Sequence, residues 1–89
     1  MDANAPKQEE VTPLNKILSD VFSEVIAATA MYEPFHSAHE GWAVLAEEVD
    51  ELWEVIRMKQ RDPKRPELLR KEAIQVAAMA VRLIMDCGK

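Results

Sequence analysis

Three stretches of this chain contain almost nothing that would stop a helix. No glycine or proline falls between Pro13 and Pro34, only Gly41 falls between Pro34 and Pro63, and none falls between Pro66 and Gly88. Each gap is long enough for five or more turns of about 3.6 residues. A chain cut in this way folds as a few long helices, provided each gap carries an apolar stripe at helical spacing.

Each does. Thr12-Pro13 reads as an N-cap followed by proline at the first helical position. Leu14, Ile17, Leu18, Val21, Phe22, Val25 and Ile26 then recur at 3/4 spacing, which predicts a first helix to about Met31. It ends where Pro34 disfavours helix in Glu33. Ser37-x-x-Glu40 is a capping-box pattern. It opens a second helix running to about Lys59, with a main stripe of Trp42, Leu45, Val49, Leu52, Trp53 and Ile56. Residues 61–65, Arg-Asp-Pro-Lys-Arg, read as a turn. Pro66 then starts a third helix carrying Leu68, Leu69, Val76, Met79, Ala80, Leu83 and Ile84, stopped at Gly88. No strand alternation competes. The expected fold is all-α: an N-terminal helix plus an antiparallel hairpin of the second and third helices.

At 89 residues the chain is one domain, expected over residues 12–89 behind a polar, frayed segment 1–11. A chain this short buries only about 60–65% of the surface its unfolded form exposes, so a four-helix-bundle-type core completed by oligomerisation is favoured over a lone monomer. The formal charge is −5, from 11 basic and 16 acidic groups. That balance argues against a nucleic-acid polymer as partner, which calls for a basic surface. Cys87 is the single cysteine, which fits a reducing compartment. There is no apolar signal core and no run approaching the ~20 residues of a membrane span. The expectation is a cytoplasmic protein with no membrane partner.

The acids of the second helix hold the chemistry. Residues 47–55, EEVDELWEV, carry five acidic side chains in nine positions. At about 100° per residue, Asp50 and Glu54 fall away from the apolar arc and Glu47 lies on the same polar side. Glu48 and Glu51 instead share a strip with Val44 and Val55. On the third helix, Glu72 shares a face with Leu68, Val76, Met79 and Leu83, and Gln75 borders it. Folding the hairpin at 61–65 sets Glu51 and Gln75 each about 15 Å from the turn, at ~1.5 Å rise per residue, with Glu48 and Glu72 within a turn of that level. Converging glutamates on apolar faces repel one another and must be neutralised. A divalent cation with all-oxygen ligands, Mg²⁺ or Mn²⁺, would do so. The alternative is interhelical salt bridging, for which Arg57, Lys59, Lys71 and Arg82 are the available partners.

These residues resemble the MazG-like all-α nucleoside triphosphate pyrophosphohydrolases, whose pattern is E-E-x-x-E on one helix and E-x-x-D on the next. Here the first half stands as Glu47-Glu48-Val49-Asp50-Glu51 and the second as Glu72-Ala73-Ile74-Gln75. The stretches HEGWAVLAEEVDELWEV and KEAIQVAAMAVRLIMD look like the compact phage and prophage members, and the resemblance covers about residues 34–86. It implies Mg²⁺-dependent hydrolysis of a (d)NTP or related nucleotide to the monophosphate and pyrophosphate, by a dimer or dimer of dimers. Glu48, Glu51 and Glu72 would hold the metal with Gln75. Glu47 would support them or serve as base for the attacking water.

Two departures stand out. Gln75 replaces the pattern's aspartate and offers an oxygen without charge. The chain also stops after the third helix, where larger relatives continue into another helix of the nucleotide pocket. They motivate a rival expectation: a catalytically degenerate helical module that binds a nucleotide or a protein. Lys71 and Arg82, on the Gln75 side of the third helix, are candidate phosphate contacts. Tyr32 and Phe35 are candidate pocket walls. His36 and His39 read as capping or packing groups rather than zinc ligands, and Trp42 and Trp53 as core or dimer packing rather than base-stacking groups.

Overall fold

The computed structural model describes residues 8–88, and the expectation of a frayed segment falls largely outside them. It contains three helices, α1 (Gln8–Met31), α2 (Ala38–Ile56) and α3 (Arg65–Cys87), and no strand among the described residues. The all-α fold is as the spacing predicts.

The first helix begins earlier than its sequence signals suggest. Thr12-Pro13 does not cap α1, because the helix already runs from Gln8 and Pro13 lies inside it. A proline's φ is helical, and what it removes is the one N–H that would bond the carbonyl of residue 9. That loss falls near the helix start, and the good helix formers at 8–10 continue the turn.

Helix α2 starts as expected. Ser37 is its N-cap, in extended conformation, and its hydroxyl accepts from the Glu40 N–H at 3.1 Å. It stops at Ile56, short of Lys59. Arg65 reaches that end: its Nη2 donates to the Ile56 carbonyl at 3.3 Å, a cationic partner for a helix end that carries partial negative charge. The connection therefore spans 57–64 rather than the predicted 61–65, and within it Asp62 Oδ1 accepts from the Lys64 N–H at 2.9 Å. Pro66 sits in the first turn of α3, and the Gly88 N–H closes its last turn on the Ile84 carbonyl at 2.9 Å.

Helix α3 is the central element. Both α1 and α2 pack on it, and they do not pack on each other. Helix α2 runs antiparallel to α3, so that Gly41 near its start lies against Leu83 near the end of α3. A Cβ at residue 41 would stand 2.5 Å from Leu83 Cδ1 and 3.0 Å from the Phe35 ring. A larger residue there would have to displace the Leu83 methyl and press on the Phe35 ring. Asp20 ties α1 to α3. It accepts from Arg70 at 2.6 Å and from Lys16 at 2.7 Å, and these two cations hold its carboxyl below the ordinary range, Lys16 first.

The core is thin. Val21 and Val25 of α1 meet Ala78 and Met79 of α3 under Phe35, with Val44, Leu45, Ile74 and Leu83 packed around them. The radius of gyration is 15.4 Å, against about 12 Å for a compact chain of this length, and the molecule is a layer 42 × 40 × 21 Å. One consequence corrects the reading of α2. The intended main stripe is not the strip that meets α3. Trp42, Val49, Trp53 and Ile56 are exposed, while Gly41, Val44, Leu45, Glu48, Leu52 and Val55 are the half-buried or buried side. The two tryptophans are therefore not core residues of this chain.

Candidate functional site

The hairpin brings the acids together. Glu48 and Glu51 of α2 and Glu72 of α3 each offer a carboxylate oxygen, and these oxygens all lie within 4.8 Å of one another. Glu48 and Glu72 are half-buried and Glu51 is exposed. Glu48 is the constrained member. Its Oε2 is buried without a hydrogen-bond partner. Burial first, and then the charges of Glu51 and Glu72, raise its pKa above the ordinary carboxylate value.

The salt-bridge alternative fails on geometry. Among the described residues no Lys, Arg or His nitrogen lies within 4.0 Å of a carboxylate oxygen of these three residues. Arg57 turns to Glu54 at 3.3 Å, and Lys59, Lys71 and Arg82 form no ion pair with any described residue. The trio is acidic, converging and uncompensated, which is what a cation site requires. Oxygens on opposite sides of Mg²⁺ stand about 4.2 Å apart, twice a ~2.1 Å bond. A set already inside 4.8 Å would need only small side-chain adjustments to meet that spacing.

A cavity of about 700 Å³ adjoins Glu48, within the range of small-molecule pockets, roughly 300–1,000 Å³. Glu47, Glu48 and Val44 form its α2 wall. Gln75, Met79 and Arg82 form its α3 wall, and Tyr32 and Phe35 its end. Six of the residues singled out from the sequence (Glu47, Glu48, Gln75, Arg82, Tyr32 and Phe35) thus share one cavity. Lys71 does not. It lies in a neighbouring cavity of about 680 Å³ between α1 and the first half of α3, with Gln75 on the boundary.

Two contributors escaped the sequence reading. Glu24 of α1 borders both cavities. Its signal was present: it stands among Val21, Val25 and Ala28 on the strip that meets α3. The second is the fastening of residues 32–37 over the end of α3. The Phe35 N–H donates to Asp86 Oδ2 at 2.9 Å, and Arg82 Nη2 donates to the Glu33 carbonyl at 3.1 Å. His36 sits exposed between Glu33 and Glu40, at 3.5 and 3.6 Å. Neither histidine joins a metal-type cluster among the described residues.

Fold and site together define a class: an all-helical layer with a cluster of three carboxylates, of which Glu48 lines a cavity while Glu51 and Glu72 do not. The chain matches no protein-family model, no curated protein and no solved structure at a significant level. No described helix is long and apolar enough to cross a membrane.

Proposed function

We propose that this chain is a divalent-metal-dependent nucleotide pyrophosphohydrolase, converting a (d)NTP or related nucleotide to the monophosphate and pyrophosphate. The observation that carries the reading is the buried, unpartnered Oε2 of Glu48 inside a trio of carboxylates with no cationic side chain beside it. The resemblance of Glu47–Glu51 and Glu72–Gln75 to the MazG-like pattern supplies the reaction.

Glu48, Glu51 and Glu72 would hold Mg²⁺ or Mn²⁺, and Gln75 adds a neutral oxygen from the cavity wall. Such a cation, when bound, polarises phosphate oxygens and lowers the pKa of a water. Glu47 is exposed and borders the cavity with Glu48, so its carboxylate can accept a proton from a water between them without a large desolvation cost. Tyr32 and Phe35 line the same cavity as Glu48 and would serve as pocket walls.

A second copy of the chain is the partner this reading calls for. By helical phase, Phe22 of α1, Ile84 of α3, and Trp42 and Trp53 of α2 stand on the side of the layer opposite the cavity. All four are more than half exposed. Isologous pairing of that face would add the missing half of the core while leaving the cavity open.

The test is pyrophosphate release from a panel of nucleotides with Mg²⁺ or Mn²⁺, run beside Glu48→Ala. Metal-dependent turnover by the wild type that the variant loses by at least tenfold is expected. Equal product from both proteins would overturn the assignment.

A further inference from the structure

Arg82 is a buried charge without a countercharge. It is 3% exposed and no carboxylate oxygen lies within 4.0 Å of it among the described residues. Asp86, one turn on, gives its Oδ2 to the Phe35 N–H instead. Of the five N–H donors of the guanidinium, one meets the Glu33 carbonyl at 3.1 Å and one a weak acceptor, Met79 Sδ, at 3.7 Å. The Nε is buried with no partner. One face of the group lies over the Phe35 ring, 4.4 Å from its centroid. A cation so placed is fastened but not neutralised, and a buried charge is retained when something pairs with it.

That cation lines the same cavity as Glu47 and Glu48. Arg82 is seven residues beyond Gln75 on α3, about 10 Å along the axis at ~1.5 Å per residue. Gln75 and the guanidinium therefore share one cavity about two turns apart, with Glu33 and Glu40 on the same lining.

We propose that Arg82 is an anion anchor at the inner end of the cavity, taking a phosphoryl oxyanion of the ligand in its fork while the carboxylates handle the rest through metal. The chemistry is that of guanidinium with a tetrahedral oxyanion, which accepts two parallel N–H bonds. Phe35 holds the plane of the fork, so little freedom is lost on binding. The remaining acids around the cavity, Glu24, Glu33, Glu40 and Glu47, oppose an anion. They lie at the rim, where water screens them, whereas Arg82 is at the floor. The inference deepens the proposed reading of this cavity, but the anchor works without metal, so the two can fail separately.

The experiment is calorimetric titration of the full chain in EDTA with inorganic pyrophosphate and, separately, with a nucleoside monophosphate. Saturable metal-free binding of at least one is expected, and which one binds identifies the product that sits on Arg82. Glu48→Gln should bind that anion at least as tightly as wild type, since it removes a repelling charge. Arg82→Gln should bind it at least tenfold more weakly. Arg82→Lys, which keeps the charge and loses the fork, should also weaken binding severalfold. It carries the comparison if circular dichroism finds the glutamine variant unfolded. Absence of metal-free binding of either anion overturns the proposal, and so does unchanged affinity in a folded Arg82 variant.

Discussion

Glu48→Gln offers the most direct test of the carboxylate centre, because it should stabilise the metal-free protein. In wild type the oxygens of Glu48, Glu51 and Glu72 lie within 4.8 Å of one another. Coulomb's law at that separation gives about 0.9 kcal/mol per like-charged pair at a dielectric of 80, and about 3.5 kcal/mol at 20. Glu48 takes part in two such pairs. Glu51 is exposed, so its share lies at the low end. Removing the charge of Glu48 should therefore relieve about 1–2 kcal/mol in EDTA above pH 7, or about 4–16 °C in Tm for a domain of this size. The sign with pH is fixed by the raised pKa. A carboxyl whose folded pKa is raised binds more protons folded than unfolded, so wild type loses stability as pH rises through that interval. The variant lacks that loss, and the two curves should converge near pH 4. Metal near saturation reverses the ranking. At a thousand times Kd, bound Mg²⁺ would add about 4.1 kcal/mol to wild type by mass action, and the variant gains much less. Thermal melts with EDTA or Mg²⁺ from pH 4 to 8 read all of this. A variant that is less stable than wild type in EDTA at pH 8, or that gains as much from Mg²⁺, would refute the reasoning.

Two further outcomes are expected. Gln75→Asp restores a fourth charge beside the trio and should tighten Mg²⁺ binding by about tenfold, a charged ligand replacing a neutral one; if wild type proves inert and this variant hydrolyses nucleotides, the non-catalytic reading stands instead. Trp53→Glu places a charge on the exposed apolar face, more than 100° round α2 from Glu48. It should shift the mass found by light scattering from dimer or tetramer toward monomer while leaving the far-ultraviolet helix signal in place, and a wild type that is monomeric at high micromolar concentration would remove the basis for that face.

The hairpin and its acids were legible because helical phase and distance from a turn are local quantities. Ser37, Pro66 and Gly88 mark element ends by backbone chemistry, and Val44, Glu48, Glu51 and Val55 share a strip whatever they face. What phase could not say is which part of a wide apolar arc meets the chain itself. On α2 the stripe carrying Trp42 and Trp53 has the larger side chains, yet the strip with Gly41 and Glu48 packs on α3, where the missing side chain of Gly41 leaves room for Phe35 and Leu83. The α1 start was missed because Thr12-Pro13 is a strong local cap signal that the helix simply runs through. Glu24 shares the strip of Val21, Val25 and Ala28, so its phase was legible; that this strip borders a cavity is a consequence of packing on α3. Arg82 was visible as a charge on the Gln75 side of α3, but its burial and lack of a carboxylate are tertiary facts.

The thin layer places two demands on one helix. Glu48 faces α3, and Trp53 lies about 140° round α2 from it. The rotation of α2 about its own axis therefore sets the aim of the carboxylate and the presentation of the tryptophan together. Packing on α3 fixes that rotation along one side of α2 only, where Gly41 and Val55 are buried and Val44, Leu45 and Leu52 half-buried. A second copy covering the Trp face would fix it, and so would a cation held between Glu48 and Glu72. Two events that restrict the same freedom support each other, and the support is reciprocal: if association tightens metal binding by some factor, metal must tighten association by the same factor. Repulsion in the trio opposes one packing of α2 on α3, and an ion that removed it would stabilise the surface that a partner would use.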